Sequence, residues 1–388
     1  MYTTEECEFS LLKLLHSTKN VEGLTHNYYR YPARMLPELA REIITLFTDI
    51  GETVLDPFMG GGTSIVEAIA LGRKAIGFDI NPLAVFITDV KITPLSLRDE
   101  YIIKHWVKEL EFKNKPINTF VKGERETIKN LPDYICNVFN SLLRDVALLP
   151  FPRQRRFARC SLLRLGQWAI DGKESIPEIR ALQDKLFFFI EEMLNGMRGF
   201  VQEASSHGIA KRNITNARLL LSRSAAGAHE DKKLKLNMKK PSLVITSPPY
   251  PNVHVLYHRW QVSGRRETSA PYWLIGENDG HGASYYTLGS RSKLGQQNYF
   301  REITEVFKSV RYITSPNAPV VQLVSFYDTV NQLPLYLKAM ELAGYEEFFP
   351  PNTNRIDLWR TIPNRKWYNR INSPHGPGIE LLLFHKPC

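Results

Sequence analysis

The fold is decided by one stretch of the chain, which runs Glu52-Thr53-Val54-Leu55-Asp56-Pro57-Phe58-Met59-Gly60-Gly61-Gly62-Thr63-Ser64. Its pattern predicts a short buried strand, a tight glycine turn and then a helix from Ile65 to Leu71. Because Gly60 and Gly62 carry no Cβ atom, a ligand can approach the backbone of the turn closely. The amino end of the following helix favours a negatively charged group such as a carboxylate. The stretch therefore predicts a ligand site at the end of a strand.

A second strand follows and ends in an acid, in the segment Lys74-Ala75-Ile76-Gly77-Phe78-Asp79. An acid about 20 residues past a glycine turn can accept both hydroxyl groups of a ribose. A strand, a glycine turn, a helix, a second strand and a terminal acid are together typical of sites for nucleoside-containing cofactors. The pattern Gly-x-Gly-x-x-Gly is not completed after Gly62, and this argues against NAD.

The reaction chemistry is predicted at a third strand end, Val244-Ile245-Thr246-Ser247-Pro248-Pro249-Tyr250. The apolar run predicts a buried parallel strand, and the two prolines force the chain out of the sheet at its carboxyl edge, where ligands of open α/β sheets bind. The Ser247 hydroxyl and the Pro248 carbonyl can accept hydrogen bonds from an amine, and Tyr250 can lie against a flat ring. A proline turn closed by a packed tyrosine is the structural alternative.

These segments, together with one loop, resemble the S-adenosylmethionine-dependent DNA amino-methyltransferases. The segments that carry the resemblance are Asp56–Thr63 (motif I), Gly77–Ala84 (motif II), Ser247–Tyr250 (motif IV) and the loop Tyr31-Pro32-Ala33-Arg34 with Leu36-Pro37 (motif X). The resemblance covers roughly residues 25–90 and 206–388. Most members of the family have serine where this chain has Gly61.

The resemblance implies S-adenosylmethionine as the cofactor. Asp79 would hold the ribose, Gly60 and Gly62 would admit the methionine part, and a motif III-like segment from Ile214 to Leu219 would place Asn216 near the adenine. The full set of implied cofactor-binding residues is Tyr31, Pro32, Asp56, Phe58, Gly60, Gly62, Thr63, Asp79, Ile80 and Asn216.

The resemblance also implies direct methyl transfer to an exocyclic amine of a base that is flipped out of duplex DNA. The implied catalytic residues are Ser247, Pro248, Pro249 and Tyr250. Because family members with serine at the first position of this motif mostly resemble cytosine-N4 enzymes, N4 of cytosine is the expected target and N6 of adenine the alternative. An RNA or protein amide methyltransferase and a non-catalytic DNA-binding accessory subunit are further alternatives.

The family resemblance and the helical patterning together predict an α/β fold, with a doubly wound, Rossmann-like, mostly parallel methyltransferase sheet and a helical insertion. Residues 1–90 would hold an N-terminal arm with motifs X, I and II. Residues 91–205, where the strand–helix alternation stops, would form the helical insertion and are the first candidate for target recognition. Residues 206–388 would complete the catalytic domain, with motif IV and a basic glycine-rich loop at 261–298 as the second candidate.

Several basic and aromatic side chains are predicted to contact double-stranded DNA. The net charge of +10 and the pI of about 9.3 favour a polyanionic partner. Guanidinium groups bind phosphates and stack on bases. The predicted DNA-binding residues are Arg153, Arg155, Arg156 and Arg159 in the insertion, Arg265 and Arg266 in the glycine-rich loop, and Lys366 and Trp367 near the end of the chain. A solvated surface is the alternative for each group.

The cysteine and hydropathy patterns predict a soluble cytoplasmic protein. The four cysteines, at positions 7, 136, 160 and 388, are too scattered for a disulfide scaffold or a zinc site. No run of about 18 apolar residues exists, and the first nine residues lack the features of a signal peptide. His254 and His258 have the spacing of a metal pair but no evident third ligand, so no metal is expected. The family implies a restriction–modification or phage-defence setting, with any cognate endonuclease on a separate chain, because no nuclease motif is seen.

Overall fold

The computed structural model describes residues 4–17, 22–32, 34–112, 128–237, 239–251, 259–263, 266–279, 288, 292–361 and 379–388. The strands are β1 (Thr53–Asp56), β2 (Lys74–Asp79), β3 (Arg218–Ser222), β4 (Leu243–Thr246), β5 (Trp260–Val262), β6 (Arg266–Thr268), β7 (Val320–Val324), β8 (Tyr345–Phe348), β9 (Trp359–Thr361) and β10 (Ile379–Pro387). The helices are α1 (Thr4–Leu15), α2 (Pro37–Phe47), α3 (Thr63–Ala70), α4 (Pro82–Lys91), α5 (Leu97–Glu109), α6 (Asp133–Ala147), α7 (Pro152–Ile170), α8 (Ile179–Ser206), α9 (Lys232–Asn237), α10 (Ala270–Ile275), α11 (Lys293–Ile313) and α12 (Thr329–Leu342).

The core is an eight-stranded sheet in the order β3-β2-β1-β4-β7-β10-β8, with β9 paired to β10. The first five strands in this order run parallel to one another. Strand β10 is antiparallel to β7, β8 and β9. Strands β4 and β7 are buried at every position, because parallel strands are covered on both faces. The predicted doubly wound, mostly parallel sheet is confirmed.

Strands β1 and β4 are neighbours in the sheet, and the strands that follow each of them along the chain are added on opposite sides. From β1 the chain crosses through α3 to β2 on one side, and from β4 it crosses through α11 to β7 on the other. Right-handed crossovers in opposite directions place their helices on opposite faces and leave a crevice at the carboxyl ends of β1 and β4. The two strands that carry motif I and motif IV therefore open into the same crevice.

The described elements between residues 97 and 206 are all helices, and they pack on the core and on the β5–β6 hairpin. A Cβ atom on Gly166 of α7 would lie only 2.4 Å from the ring of Trp260 in β5, so that position requires glycine. Trp260 Nε1 donates to Tyr29 Oη at 2.9 Å, and the Gln261 amide donates to Asp171 Oδ1 at 3.0 Å. The two segments that are alternatives for target recognition therefore lie against each other.

Candidate active site

A cavity of ≈ 280 Å³ lies at the carboxyl ends of β1, β2 and β4. Loops that follow these strands form its floor, and the segment before α2 forms one wall. The lining residues are Tyr31, Pro32, Arg34, Met35, Asp56, Pro57, Phe58, Met59, Gly60, Gly61, Thr63, Ser64, Asp79, Ile80, Asn81, Arg223, Ser224, Ser247, Pro249, Leu288, Glu302 and Val306. Eight of the ten residues predicted to bind a cofactor are among them, and the two exceptions are Gly62 and Asn216.

The glycine turn brings backbone atoms to the cavity surface. Gly60 and Gly62 have φ angles of +46° and +73°, in the left-handed region that favours glycine. A Cβ atom on Gly61 would lie 2.8 Å from Tyr31 Cβ, and one on Gly62 would lie 2.4 Å from Thr88 Oγ1. Gly62 thus shapes the turn by packing on Thr88 of α4, although it does not line the cavity itself.

Asp79 stands at the end of β2 with its carboxylate in the cavity wall. Its Oδ2 atom accepts from the Gly60 amide at 2.9 Å, and its Oδ1 atom accepts from the Asn81 amide at 2.8 Å. Burial raises the pKa of the Asp79 carboxyl to about 6, although both amide hydrogen bonds oppose this rise. The carboxylate is therefore ionised at neutral pH and keeps acceptor capacity for ligand hydroxyl groups.

Asp56 ties three elements together beneath the cavity. It is only 4% exposed and accepts hydrogen bonds from the Ser64 hydroxyl, from Thr246 Oγ1 at 2.6 Å and from the Phe58 amide at 3.0 Å. Burial raises its pKa to about 6. Because Thr246 immediately precedes Ser247, the contact between Asp56 and Thr246 fixes motif IV against motif I.

Two basic side chains near the glycine turn, Arg34 and Lys91, were not among the residues predicted from the sequence to bind the cofactor. Arg34 lines the cavity and donates to the His26 carbonyl at 3.1 Å, and burial, with Arg30 nearby, lowers its pKa to about 10. Lys91 is fully buried behind the turn and donates to the Gly61 carbonyl at 2.6 Å. The sequence signal for Arg34 is its place in the motif X loop, whereas a lysine at the end of α4 gives no such signal.

The motif IV corner places its serine in the cavity and its tyrosine beside it. Ser247 Oγ donates to the Leu323 carbonyl at 3.0 Å and lies 3.4 Å from Tyr250 Oη. Pro249 also lines the cavity, and its carbonyl accepts from Tyr299 Oη at 2.8 Å. Pro248 is buried, and Tyr250 is 3% exposed. The ring of Tyr250 does not line the cavity, so its stacking against a flat ring stays a prediction.

The structure places Asn216 away from the cavity. It is exposed and lies just before β3, at the amino end of that strand, whereas the cavity is at the carboxyl ends. Arg223 and Ser224, which follow β3, line the cavity instead. The motif III assignment failed because a polar residue must follow a parallel strand, and not precede it, to reach a ligand at this edge.

The four arginines predicted to bind DNA at the start of α7 already have partners within the protein. Arg153 Nε donates to Asp99 Oδ2 at 2.7 Å, and Arg156 pairs with Asp89 at 3.0 Å. The guanidinium of Arg155 donates to the carbonyl of Leu149 at 2.6 Å, and that of Arg159 to the carbonyl of Leu274 at 2.9 Å. These contacts hold the helical segment to α4, α5 and α10. In this structure the four side chains therefore stabilise the packing of α7 on its neighbours.

Three of the other predicted DNA contacts, Arg265, Lys366 and Trp367, lie outside the described residues, as do His254 and His258. Arg266 is described and exposed on β6. Among the described ranges, no cluster of three or more His, Cys, Asp or Glu side chains could hold a metal ion. Within the same ranges, no helix has the length and apolar character needed to cross a bilayer.

Comparison with known proteins finds similarity to methyltransferases over part of the chain. A family described as DNA methylase matches residues 10–88. The chain is 36% identical over 118 residues to the type II methyltransferase M.MvaI of Kocuria varians, which covers 30% of this chain and 25% of that protein. It is 31% identical over 117 residues to M.MjaII of Methanocaldococcus jannaschii, with 29% and 21% covered. The matches thus span a quarter or less of the length of these two relatives.

Two further similarities are to enzymes of RNA. The tRNA (guanine(10)-N2)-dimethyltransferase of Methanocaldococcus jannaschii is 33% identical over 127 residues, which is 28% of this chain and 36% of that protein. The structure of the rRNA methyltransferase AviRa from Streptomyces viridochromogenes aligns over 77% of this chain and 78% of that chain, with 10% identity and a TM-score of 0.34. A similarity at that score does not decide the fold, which rests on the strand order described above.

Proposed function

Because the family described as DNA methylase matches residues 10–88, we propose that this protein transfers a methyl group from S-adenosylmethionine to the exocyclic N4 amine of a cytosine flipped out of duplex DNA. One observation carries the proposal. The glycine turn with Asp79 and the motif IV residue Ser247 line a single cavity at the switch point of the sheet. A cofactor held by the first group would therefore lie next to an amine held by the second.

The residues of the cavity fit S-adenosylmethionine. The Asp79 carboxylate suits the ribose hydroxyl groups, and the close backbone of Gly60 and Gly61 suits the methionine part. The guanidinium of Arg34 in the wall suits a carboxylate. When bound, the cofactor supplies a methyl group on a positively charged sulfur. Ile80, which is 37% exposed at the rim, offers an apolar surface for the adenine.

The protein's part in the transfer is positioning. Extrusion of a base from the duplex costs a few kcal/mol, and the base would then enter the cavity beside Ser247. Ser247 Oγ would accept an N–H bond from the amine, with the Pro248 carbonyl as second acceptor, and would so aim the nitrogen lone pair at the methyl group. The N–C bond would form as the S–C bond breaks, S-adenosylhomocysteine would leave, and the nitrogen would lose one proton to water. Orientation of the amine and the methyl donor provides the rate gain, and no covalent intermediate with the protein is required.

We propose N4 of cytosine, and not N6 of adenine, as the methylated atom, because the first residue of motif IV is Ser247 and not aspartate or asparagine. The names of the type II relatives support a restriction–modification setting. We propose that the protein acts in the cytoplasm, with a cognate endonuclease as a separate chain. The helical segment 91–205 and the 261–298 segment would together read the target, since α7 and β5 pack on each other.

The test is incubation of mixed-sequence duplex DNA with the protein and S-adenosylmethionine, followed by digestion to nucleosides and mass spectrometry. N4-methylcytosine supports the proposal in full. N6-methyladenine would keep the reaction type and overturn the choice of base. Absence of any methylated base from DNA, with normal cofactor binding, would overturn DNA as the substrate.

RNA is the second candidate substrate, and one observation favours it. The tRNA methyltransferase that matches 127 residues also acts, by its name, on an exocyclic guanine nitrogen. Parallel incubations with transfer RNA and ribosomal RNA, analysed in the same way, separate the two candidates. Methylated guanine in RNA, without any methylated base in DNA, would make RNA the substrate and overturn the proposal above.

A further inference from the structure

A chain of three buried polar groups, Tyr250, Glu380 and Arg360, lies directly behind Ser247. Tyr250 Oη lies 3.4 Å from Ser247 Oγ and donates to a carboxylate oxygen of Glu380 in β10. Arg360 in β9 closes the chain, with its Nε and Nη2 atoms each 2.7 Å from Glu380 Oε2. Tyr250, Glu380 and Arg360 are 3%, 4% and 7% exposed. The chain thus joins the cavity serine to an ion pair in the antiparallel part of the sheet.

The direction of each hydrogen bond in this chain follows from the chemistry of its ends. A carboxylate paired with a guanidinium can only accept, so the Tyr250 hydrogen points to Glu380. The Leu323 carbonyl can also only accept, so the Ser247 hydrogen points to Leu323 or to the oxygen of Tyr250. In either case the serine hydrogen stays within the protein. Ser247 then presents a lone pair, and no hydrogen, to the cavity.

We propose that Glu380 and Arg360 are positioning residues that keep both lone pairs of the Ser247 hydroxyl free to accept, because they hold the Tyr250 hydrogen away from it. A site of this polarity binds an N–H donor, such as an exocyclic amine, and disfavours a carbonyl oxygen at the same place, because two acceptors would then face each other. The inference deepens the proposed function and rests on it for the identity of the reaction. It adds the group that selects amino over keto bases.

Glu380 controls the polarity because it holds the tyrosine hydrogen. With glutamine at position 380, the amide can offer an N–H group to the tyrosine oxygen, and the tyrosine hydrogen is released toward Ser247 Oγ. One of the two lone pairs of Ser247 Oγ is then occupied, so this oxygen accepts less strongly from an amine. Removal of the hydroxyl in Tyr250→Phe eliminates that competing hydrogen, so the double variant should regain the original polarity. If Glu380 served only to join β9 to β10, Tyr250→Phe would not restore the preference for an amine.

The test measures binding of free nucleosides to the full chain saturated with S-adenosylhomocysteine, by saturation-transfer NMR. The matched pairs are deoxycytidine with deoxyuridine and deoxyadenosine with deoxyinosine, which differ by an amine or a keto oxygen. The wild-type protein should bind at least one amine roughly tenfold more tightly than its keto partner. Glu380→Gln should reduce this preference to about threefold or less, and Glu380→Gln with Tyr250→Phe should restore it.

Three results would overturn the inference: no amine preference in the wild type, an unchanged preference in Glu380→Gln, or a loss that Tyr250→Phe does not restore. If Glu380→Gln fails to fold, Glu380→Asp replaces it, because the shorter acid keeps the charge opposite Arg360 and withdraws from Tyr250. An amine preference in the wild type without any methylated base in DNA would contradict the proposed function and leave this inference intact.

Discussion

Lys91 Nζ lies 2.6 Å from the carbonyl oxygen of Gly61, and the lysine is fully buried beneath the glycine turn. Burial, and secondarily the charge of Arg34, lowers the pKa of its ammonium group from 10.5 to about 7. The amine thus fixes the turn from behind while titrating near neutral pH. A group that supports the glycine turn is in this way coupled to the pH of the solution.

Lys91→Met should change how stability depends on pH. Between about pH 7 and pH 10.5 the unfolded lysine binds a proton that the folded one does not, so the free energy of unfolding of the wild type should rise with pH in this window. The variant should lose this slope and bind the cofactor more weakly, because the Gly61 carbonyl loses its donor. Chemical denaturation at several pH values measures the slope, with Lys308→Met on the exposed face of α11 as the control. Equal slopes in both variants would refute the assignment.

Cofactor binding and methyl transfer should separate between Asp79 and Ser247. Asp79→Asn should raise the Kd for S-adenosylmethionine roughly 10- to 100-fold, because a charged acceptor is lost. Ser247→Ala should leave the Kd within about threefold and lower kcat by about tenfold or more. Calorimetry and single-turnover kinetics measure the two quantities. A comparable loss of cofactor affinity in both variants would contradict these roles.

The affinity for the cofactor should also fall as the pH drops through about 6, where the Asp79 carboxylate becomes protonated in the free protein. Asp79→Asn should flatten this dependence. Asp56 titrates in the same range, so the free energy of unfolding is followed alongside to separate loss of fold from loss of binding.

Much of the lining of the candidate site could be predicted because its signals are local. The glycine turn, Asp79 and the Ser247 corner each follow an apolar strand at a short distance along the chain, and parallel strands bring their carboxyl ends to one edge. Asn216 was misplaced for a related reason, since a shift of a few residues in the start of β3 moves a side chain to the opposite edge. Strand boundaries are the weakest part of a pattern-based prediction.

The groups behind the site could not be predicted, because their contacts are distant in sequence. Glu380 reaches Tyr250 only through the pairing of β10 with β7, and Arg360 reaches Glu380 only through the pairing of β9 with β10. The arginines of α7 have partners within the protein that the sequence pattern did not predict. Alternating cations and aromatics are typical of nucleic-acid contacts, but Asp89 and Asp99, far away in sequence, pair with two of them.

Gly62→Ala should destabilise the fold by more than its backbone angle explains. An alanine at φ +73° costs about 1–2 kcal/mol, and the new Cβ would also overlap Thr88 Oγ1 at 2.4 Å, adding about 1–3 kcal/mol. Gly51→Ala is the matched control, because Gly51 has φ +85° and no atom within 4 Å of its Cβ position. Urea denaturation compares the two. Equal losses would show that the turn moves away from Thr88 without cost.

Arg153 and Arg266 should differ in what they contribute. Arg153→Met leaves the fully buried Asp99 without its guanidinium partner, so the free energy of unfolding should fall by about 1–3 kcal/mol. Arg266→Met, at an exposed position on β6, should leave stability within about 0.5 kcal/mol. If the β5–β6 hairpin contacts DNA, this variant should also reduce the slope of log K against log salt by about 1, whereas Arg153→Met should leave that slope unchanged. Thermal denaturation and fluorescence anisotropy with labelled duplex at several salt concentrations provide both readouts. If Arg153→Met also reduced the salt slope, we would conclude that Arg153 contacts DNA and that a phosphate displaces Asp99 as its partner.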